Sequence, residues 1–92
     1  MNSQKFALGQ LAATPGALEA LEVSGQTPDY FLARHVAGDW DEVDEEDWAL
    51  NDQALLDDSR VLSAYTLRTG VTIWVLTEAD RSVTTWLLPS EY

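Results

Sequence analysis

From Arg60 onward the hydrophobic pattern repeats at every second residue, and that period constrains the fold more than any other feature. Val61, Ser63, Tyr65 and Leu67 alternate with Leu62, Ala64, Thr66 and Arg68. Thr69-Gly70 marks a tight turn in which glycine takes the positive φ. Val71, Ile73 and Val75 then alternate with Thr72, Trp74 and Leu76. Glu78-Ala79-Asp80-Arg81 is polar and turn-like; after it Val83, Thr85 and Leu87 alternate with Thr84, Trp86 and Leu88, up to Pro89. Three short period-two runs separated by turn residues predict a three-stranded antiparallel meander.

Upstream the period is helical. Thr14-Pro15 reads as a helix start: threonine accepts orphan N–H bonds as N-cap, and proline at the first position has none to waste. Leu18 and Leu21 turn inward, Glu19 and Glu22 face water, and Gly25 ends the helix. Thr27-Pro28 opens a second helix, with Asp29 at its positive end, Phe31, Leu32, His35 and Val36 as its apolar stripe, and Gly38 as its close. A third helical region follows, with Asp44 as cap and Glu45, Glu46 and Asp47 in its first turn. There Val43, Leu50 and Ala54 share a face, Trp48 and Leu55 lie beside it, and Asn51-Asp52 offers a restart after a kink. Lys5 to Thr14 begins as a short strand, Phe6 and Leu8 alternating with Ala7 and Gly9. The whole of 1–92 is expected to form a single α+β domain. A short N-terminal strand and two or three short helices pack on the C-terminal three-stranded antiparallel meander. A domain of this length has a radius of gyration of roughly 12 Å.

Composition narrows the function classes. The 92 residues include 16 acids, 5 bases and no cysteine, for a net charge of −11. No disulfide, thiolate metal site or cysteine nucleophile can form. The acidic balance argues against direct nucleic-acid binding, because phosphates repel it, and favours a basic protein surface as partner. No apolar run approaches the ~20 residues of a membrane span, and the start lacks a signal-peptide core. The expected location is cytoplasmic.

The charge is concentrated. Asp39, Asp41, Glu42, Asp44, Glu45, Glu46, Asp47, Asp52, Asp57 and Asp58 fall between His35 and Arg60, uninterrupted by any base. Carboxylates at helical spacings of three and four sit ~5–6 Å apart at Cβ, near the spacing of backbone phosphates. Trp40 and Trp48 inside the run supply apolar anchors of the kind hot spots use. The simpler alternative is a solvated helix face. An EF-hand reading from Asp39 fails: Val43, Asp44 and Leu50 stand where a ligand, the glycine and the bidentate glutamate are needed. No metal or other cofactor is expected.

The residues that could carry chemistry are few. His35 is the only histidine, and no Gly-x-Ser-x-Gly elbow surrounds any serine. Its simplest role is a half-buried side chain holding the next loop. The Glu78, Asp80 and Arg81 loop offers a clamp for a polar ligand; the simpler reading pairs Arg81 with a neighbouring acid. Both sheet faces carry large apolar residues. The second, with Trp74 and Leu76, points to a homodimer or partner surface, or to cover by the N-terminal segment.

Several stretches carry a resemblance: Leu8-Gly9-Gln10, Ala13 through Leu18, Phe31 through His35, Gly38-Asp39-Trp40, Asn51 through Leu55, and Thr77 through Pro89. In these the chain resembles a family of small bacterial "plasmid-related" proteins. The likeness covers most of the chain, and Thr77-Glu78-Ala79-Asp80-Arg81-Ser82 is its most specific part. It implies plasmids, phages and other accessory DNA as the setting, and brings no reaction or catalytic residue with it. Asp41 stands where that family usually has glycine, and Trp48 where it has a basic residue. The function expected is non-enzymatic: an acidic helical surface offered to a basic site of a nucleic-acid-handling protein, as a DNA-mimic-like inhibitor of the anti-restriction or anti-CRISPR kind. The alternatives are a small enzyme or ligand-binding domain using His35, Asp39, Glu78, Asp80 and Arg81, or a structural homodimer.

Overall fold

The meander forms as its alternation dictates. In the computed structural model, which describes residues 6–39, 45–57 and 59–92, strands β2 (Val61–Thr66), β3 (Thr72–Thr77) and β4 (Val83–Leu87) pair antiparallel in succession. Gly70 takes φ 90° in the β2–β3 turn, where Leu67 and Val71 close the ladder. The N-terminal strand β1 (Gln10–Ala13) is shorter than the alternation of Phe6 and Leu8 suggests, because both residues precede it. It joins β4 in parallel, giving the order β1-β4-β3-β2.

All three helices take the inner sheet face. Helix α1 (Pro15–Ser24) starts where Thr14 predicts: the threonine hydroxyl accepts the Ala17 N–H, and Gly25 ends the helix at φ 70°. The Glu91 carboxylate reaches across from the C-terminus and accepts from the Thr14 hydroxyl and from the Gly16 and Leu88 amides. Those donors hold its carboxyl below the usual range. Helix α2 (Pro28–Val36) also begins at its proline, but the Thr27 side chain makes no cap bond. Ala17, Leu21 and Phe31 meet Tyr65, Leu67, Ile73, Val75 and Trp86 in the main core.

Helix α3 (Glu45–Asp57) is continuous, without the restart suggested at Asn51-Asp52. Its inner seam is Asn51, Ala54 and Leu55, not the expected face of Leu50 and Ala54. The reason is polar. The Asn51 carboxamide donates to the Leu62 carbonyl and accepts the Leu62 N–H, filling both outward groups of the edge strand as a neighbouring strand would. That bond pair turns Leu50 to solvent, 60% exposed. Val43 and the Asp44 cap lie outside the described residues. The Cα radius of gyration is 12.4 Å, as expected for one domain of this length. Among the described residues, no helix is long and apolar enough to cross a membrane.

The segment before β1 is held tightly. At Gly9, φ is 66° and an added Cβ would lie 2.3 Å from the Ser82 carbonyl oxygen; at Gly25, φ is 70° but nothing lies within 4 Å. Both substitutions carry the ~1–2 kcal/mol left-handed penalty, and only the first adds a backbone collision. Gly9→Ala is therefore expected to destabilise by more than about 3 kcal/mol and Gly25→Ala by about 1 kcal/mol. Urea unfolding midpoints of the two variants test this.

Candidate functional site

The sole histidine is fully buried, not half-buried. His35 stands in α2 over the inner sheet face. Its Nδ1 lies 2.5 Å from the Ser63 hydroxyl, and its Nε2 lies 2.9 Å from the Thr77 hydroxyl. Thr77 lies 2.8 Å from Thr84, its register partner in β4. Thr84 in turn donates to the Leu8 carbonyl at 2.8 Å. Ser63, Thr77 and Thr84 are all buried.

The carbonyl at the end of this chain sets the direction of every proton in it. Leu8 can only accept, so Thr84 spends its one proton there and accepts from Thr77. Thr77 must then accept from His35, which places the ring proton on Nε2. Nδ1 is left bare and accepts from Ser63. The imidazole is thus held neutral in one tautomer. Burial first, and the Arg81 charge second, lower its pKa from 6.5 to about 3. The Phe6 ring packs edge-on to the imidazole at 5.2 Å, and the Arg81 guanidinium lies 5.5 Å from the centroid of the Phe6 ring.

Arg81 turns inward instead of toward a ligand or an acid. It donates to the carbonyls of Ser59 and Ala54, at 2.6 and 3.1 Å, and more loosely to those of Glu78 and Ala79. It thereby ties the end of α3 to the β3–β4 turn. The geometry requires φ 59°, a left-handed conformation uncommon for a side chain of this size. The carbonyl clamp offsets that strain. Asp80 accepts from the Ser82 amide, which together with the Ser82 side chain holds its carboxyl below the usual range. Asp39 is engaged too: its carboxylate meets Arg34 at 2.8 Å, and its carbonyl accepts from Tyr65.

The five residues of the ligand-site alternative therefore do not converge on one cavity. The hollows among the described residues are lined elsewhere. One of about 410 Å³ lies among Gly25, Gln26, Thr27, Tyr30 and Arg68. A more apolar one of about 280 Å³ includes Ala20, Val23, Val71 and Leu88. Among the described residues no group of three or more His, Asp or Glu side chains is placed to hold a metal ion.

Of the acidic surface, Trp40, Asp41, Glu42 and Asp44 lie outside the described residues. Glu45, Glu46 and Asp47 form the first turn of α3, where the helix dipole favours acids; their side chains lie outside the description. Trp48 and Leu50 follow on the helix, 37% and 60% exposed, beside the exposed Asp52. The sequence marks Trp48 as an anchor, whereas its periodicity assigns Leu50 to the core and so hides it. No protein-family model, curated protein or solved structure matches the chain.

The depressed His35 pKa gives a pH signature. Below pH 6.5 the unfolded chain binds a proton that the folded chain refuses down to about pH 3. This contribution is complete above pH 6.5 and is lost progressively as the pH falls toward 3. At pH 5 the loss is about 2 kcal/mol. Chemical denaturation across pH 5–8 should show a break near pH 6.5 in the wild type, and His35→Gln should remove that break.

Proposed function

We propose that the protein is a non-enzymatic binding module whose acidic helix α3 docks on a basic site of a nucleic-acid-handling protein. The observation that carries this reading is the outward pair Trp48 and Leu50 on α3. The helix is fastened to the sheet by Asn51 and Ala54 and by the Arg81 clamp at its end. Leu55 packs inward with Ala54, whereas Trp48 and Leu50 are turned outward beside the acid Asp52. Apolar anchors surrounded by charge are what a steered, specific interface uses: the charge speeds and orients encounter, and the anchors slow release.

The neutral, sealed histidine supports a binding role over a catalytic one. A general base needs access to a substrate proton, and His35 spends both nitrogens inside the core. The setting proposed is bacterial accessory DNA, in the cytoplasm, with DNA mimicry as the mode of inhibition. The acids of α3 would compete with phosphates for the same cationic groove.

The test is capture on immobilised protein from a bacterial lysate, followed by elution with salt or with duplex DNA. A captured nucleic-acid-binding protein should be released by both. Trp48→Ala should weaken the complex by roughly tenfold or more, about 1.4 kcal/mol, without loss of fold. Reversing Glu45, Glu46, Asp47 and Asp52 to lysine should weaken binding and flatten its salt dependence. Binding that survives the reversal unchanged would refute the reading.

A further inference from the structure

We infer that the hollow between the α1–α2 connection and the β2–β3 turn is a binding site for a small anion carried on a planar ring, an aromatic carboxylate or phosphate ester. It uses none of the α3 residues of the proposed interface and goes beyond that reading.

Three parts of the chain build the hollow. Gly25, Gln26 and Thr27 come from the connection between the helices, Tyr30 from the first turn of α2, and Arg68 from the turn after β2. The space is about 410 Å³, inside the roughly 300–1,000 Å³ range of small-ligand sites. Its walls are fixed before anything binds. The Gln26 carboxamide oxygen accepts the Arg68 N–H at 2.9 Å and so ties the helix connection to the hairpin. The Leu67 and Gly70 amides close the turn on either side of Arg68. The Tyr30 ring is braced by Phe31, edge-on at 5.0 Å, and by the Arg34 guanidinium at 5.9 Å. Groups held in place before binding lose little freedom when a ligand arrives.

The polar groups of this hollow are unspent. The other described arginines have duties: Arg34 pairs with Asp39, Arg60 stacks over Tyr92, and Arg81 holds the carbonyls of Ala54 and Ser59. Arg68 has none. Among the described residues no carboxylate lies within 4 Å of its guanidinium, in a chain with 16 acids. The Thr27 hydroxyl is also unused. Thr14-Pro15 and Thr27-Pro28 are the same helix-start signal, yet Thr14 caps its helix through the side chain and Thr27 makes no cap bond. With its oxygen engaged by Arg68, the Gln26 carboxamide keeps two N–H donors. Tyr30 is 56% exposed, a large aromatic side chain left at the edge of a polar hollow.

The chemistry of the lining selects the ligand. A guanidinium, a carboxamide and two hydroxyls offer more donors than acceptors, and no carboxylate lines the hollow to hold a cation. A carboxylate or phosphate matches the fork of the Arg68 guanidinium. The Tyr30 ring adds a flat apolar face on which a second ring stacks. Both contacts are needed. The net charge of −11 repels a free anion at long range, so the guanidinium alone holds one poorly. A single exposed tyrosine is equally weak as a site for a neutral ring. A ligand that carries ring and anion together engages both at once.

Titration of the full chain, followed by its amide proton–nitrogen spectrum, provides the test. The probes are phenyl phosphate and benzoate, with inorganic phosphate and phenol as their separate halves. One or both of the joined probes should give saturating shifts centred on Gly25, Gln26, Thr27, Tyr30 and Arg68, with dissociation in the millimolar range expected of fragments this small. The tighter of the two identifies the anionic group. Each half alone should bind roughly tenfold or more weaker. Arg68→Gln and Tyr30→Leu should each weaken the joined probe to the same degree, and Arg68→Lys, which keeps the charge but not the fork, should fall between. Arg60→Gln should leave binding unchanged. Spectra that match the wild type away from the hollow show that the variants are folded. Shifts that fail to saturate by about 20 mM for both joined probes overturn the inference. So does inorganic phosphate or phenol binding as tightly as the joined probes, or a folded Arg68→Gln that binds like the wild type.

Discussion

The hydrogen-bonded chain from Ser63 through His35, Thr77 and Thr84 to the Leu8 carbonyl is the interaction on which the other parts of the structure converge. It joins α2 to all three meander strands and to the segment that leads into β1. It also divides the core. On β2, Ser63 stands between Val61, which packs with Ala54, Leu55 and Phe6, and Tyr65, which packs with Phe31 and Ile73. Each buried polar atom in such a seam costs about 1–3 kcal/mol if left unpaired. The seam is therefore stable only as a complete set, with α2, the sheet and the N-terminal segment in register. Its interior position makes the histidine an organiser of the fold, while the chemistry available to a partner lies outside.

Charge and apolar surface are sorted by layer. The acids occupy helices and loops, and the sheet carries none. Helix α3 is held by directional polar contacts: Asn51 completes the edge of β2, and Arg81 takes the Ala54 carbonyl near the end of the helix. A helix fastened by hydrogen bonds needs little apolar surface on its inner side. Its Trp48 and Leu50 are thus released to the outside, among the acids.

What was legible in the sequence was local. The meander, its Gly70 turn, and the starts of α1 at Thr14-Pro15 and α2 at Pro28 follow from period and capping chemistry, and each appears in the structure. What escaped depends on pairing at a distance. Periodicity placed Leu50 inward because it scores asparagine as polar, yet Asn51 is drawn in by the unpaired edge of β2. The local sequence points Arg81 to an acid or a ligand, because nothing local reveals that the carbonyls of Ala54 and Ser59 lie within its reach. The parallel pairing of β1 with β4 is likewise invisible to local pattern. The histidine chain did leave a trace: Ser63, Thr77 and Thr84 occupy inward strand positions where valine or isoleucine would be expected. Hydroxyls on a core face, in a chain whose only histidine lies on an apolar helical stripe, are the signal of a buried polar seam.

The most direct measurement is the nitrogen-15 spectrum of the His35 imidazole. The proton directions derived above require a protonated Nε2 and a bare Nδ1, with both resonances unchanged from pH 8 to about pH 5, because burial holds the pKa near 3. Two averaged nitrogen resonances that move with a midpoint near pH 6.5 would show a solvated, titrating ring, and would contradict the sealed seam on which the account rests.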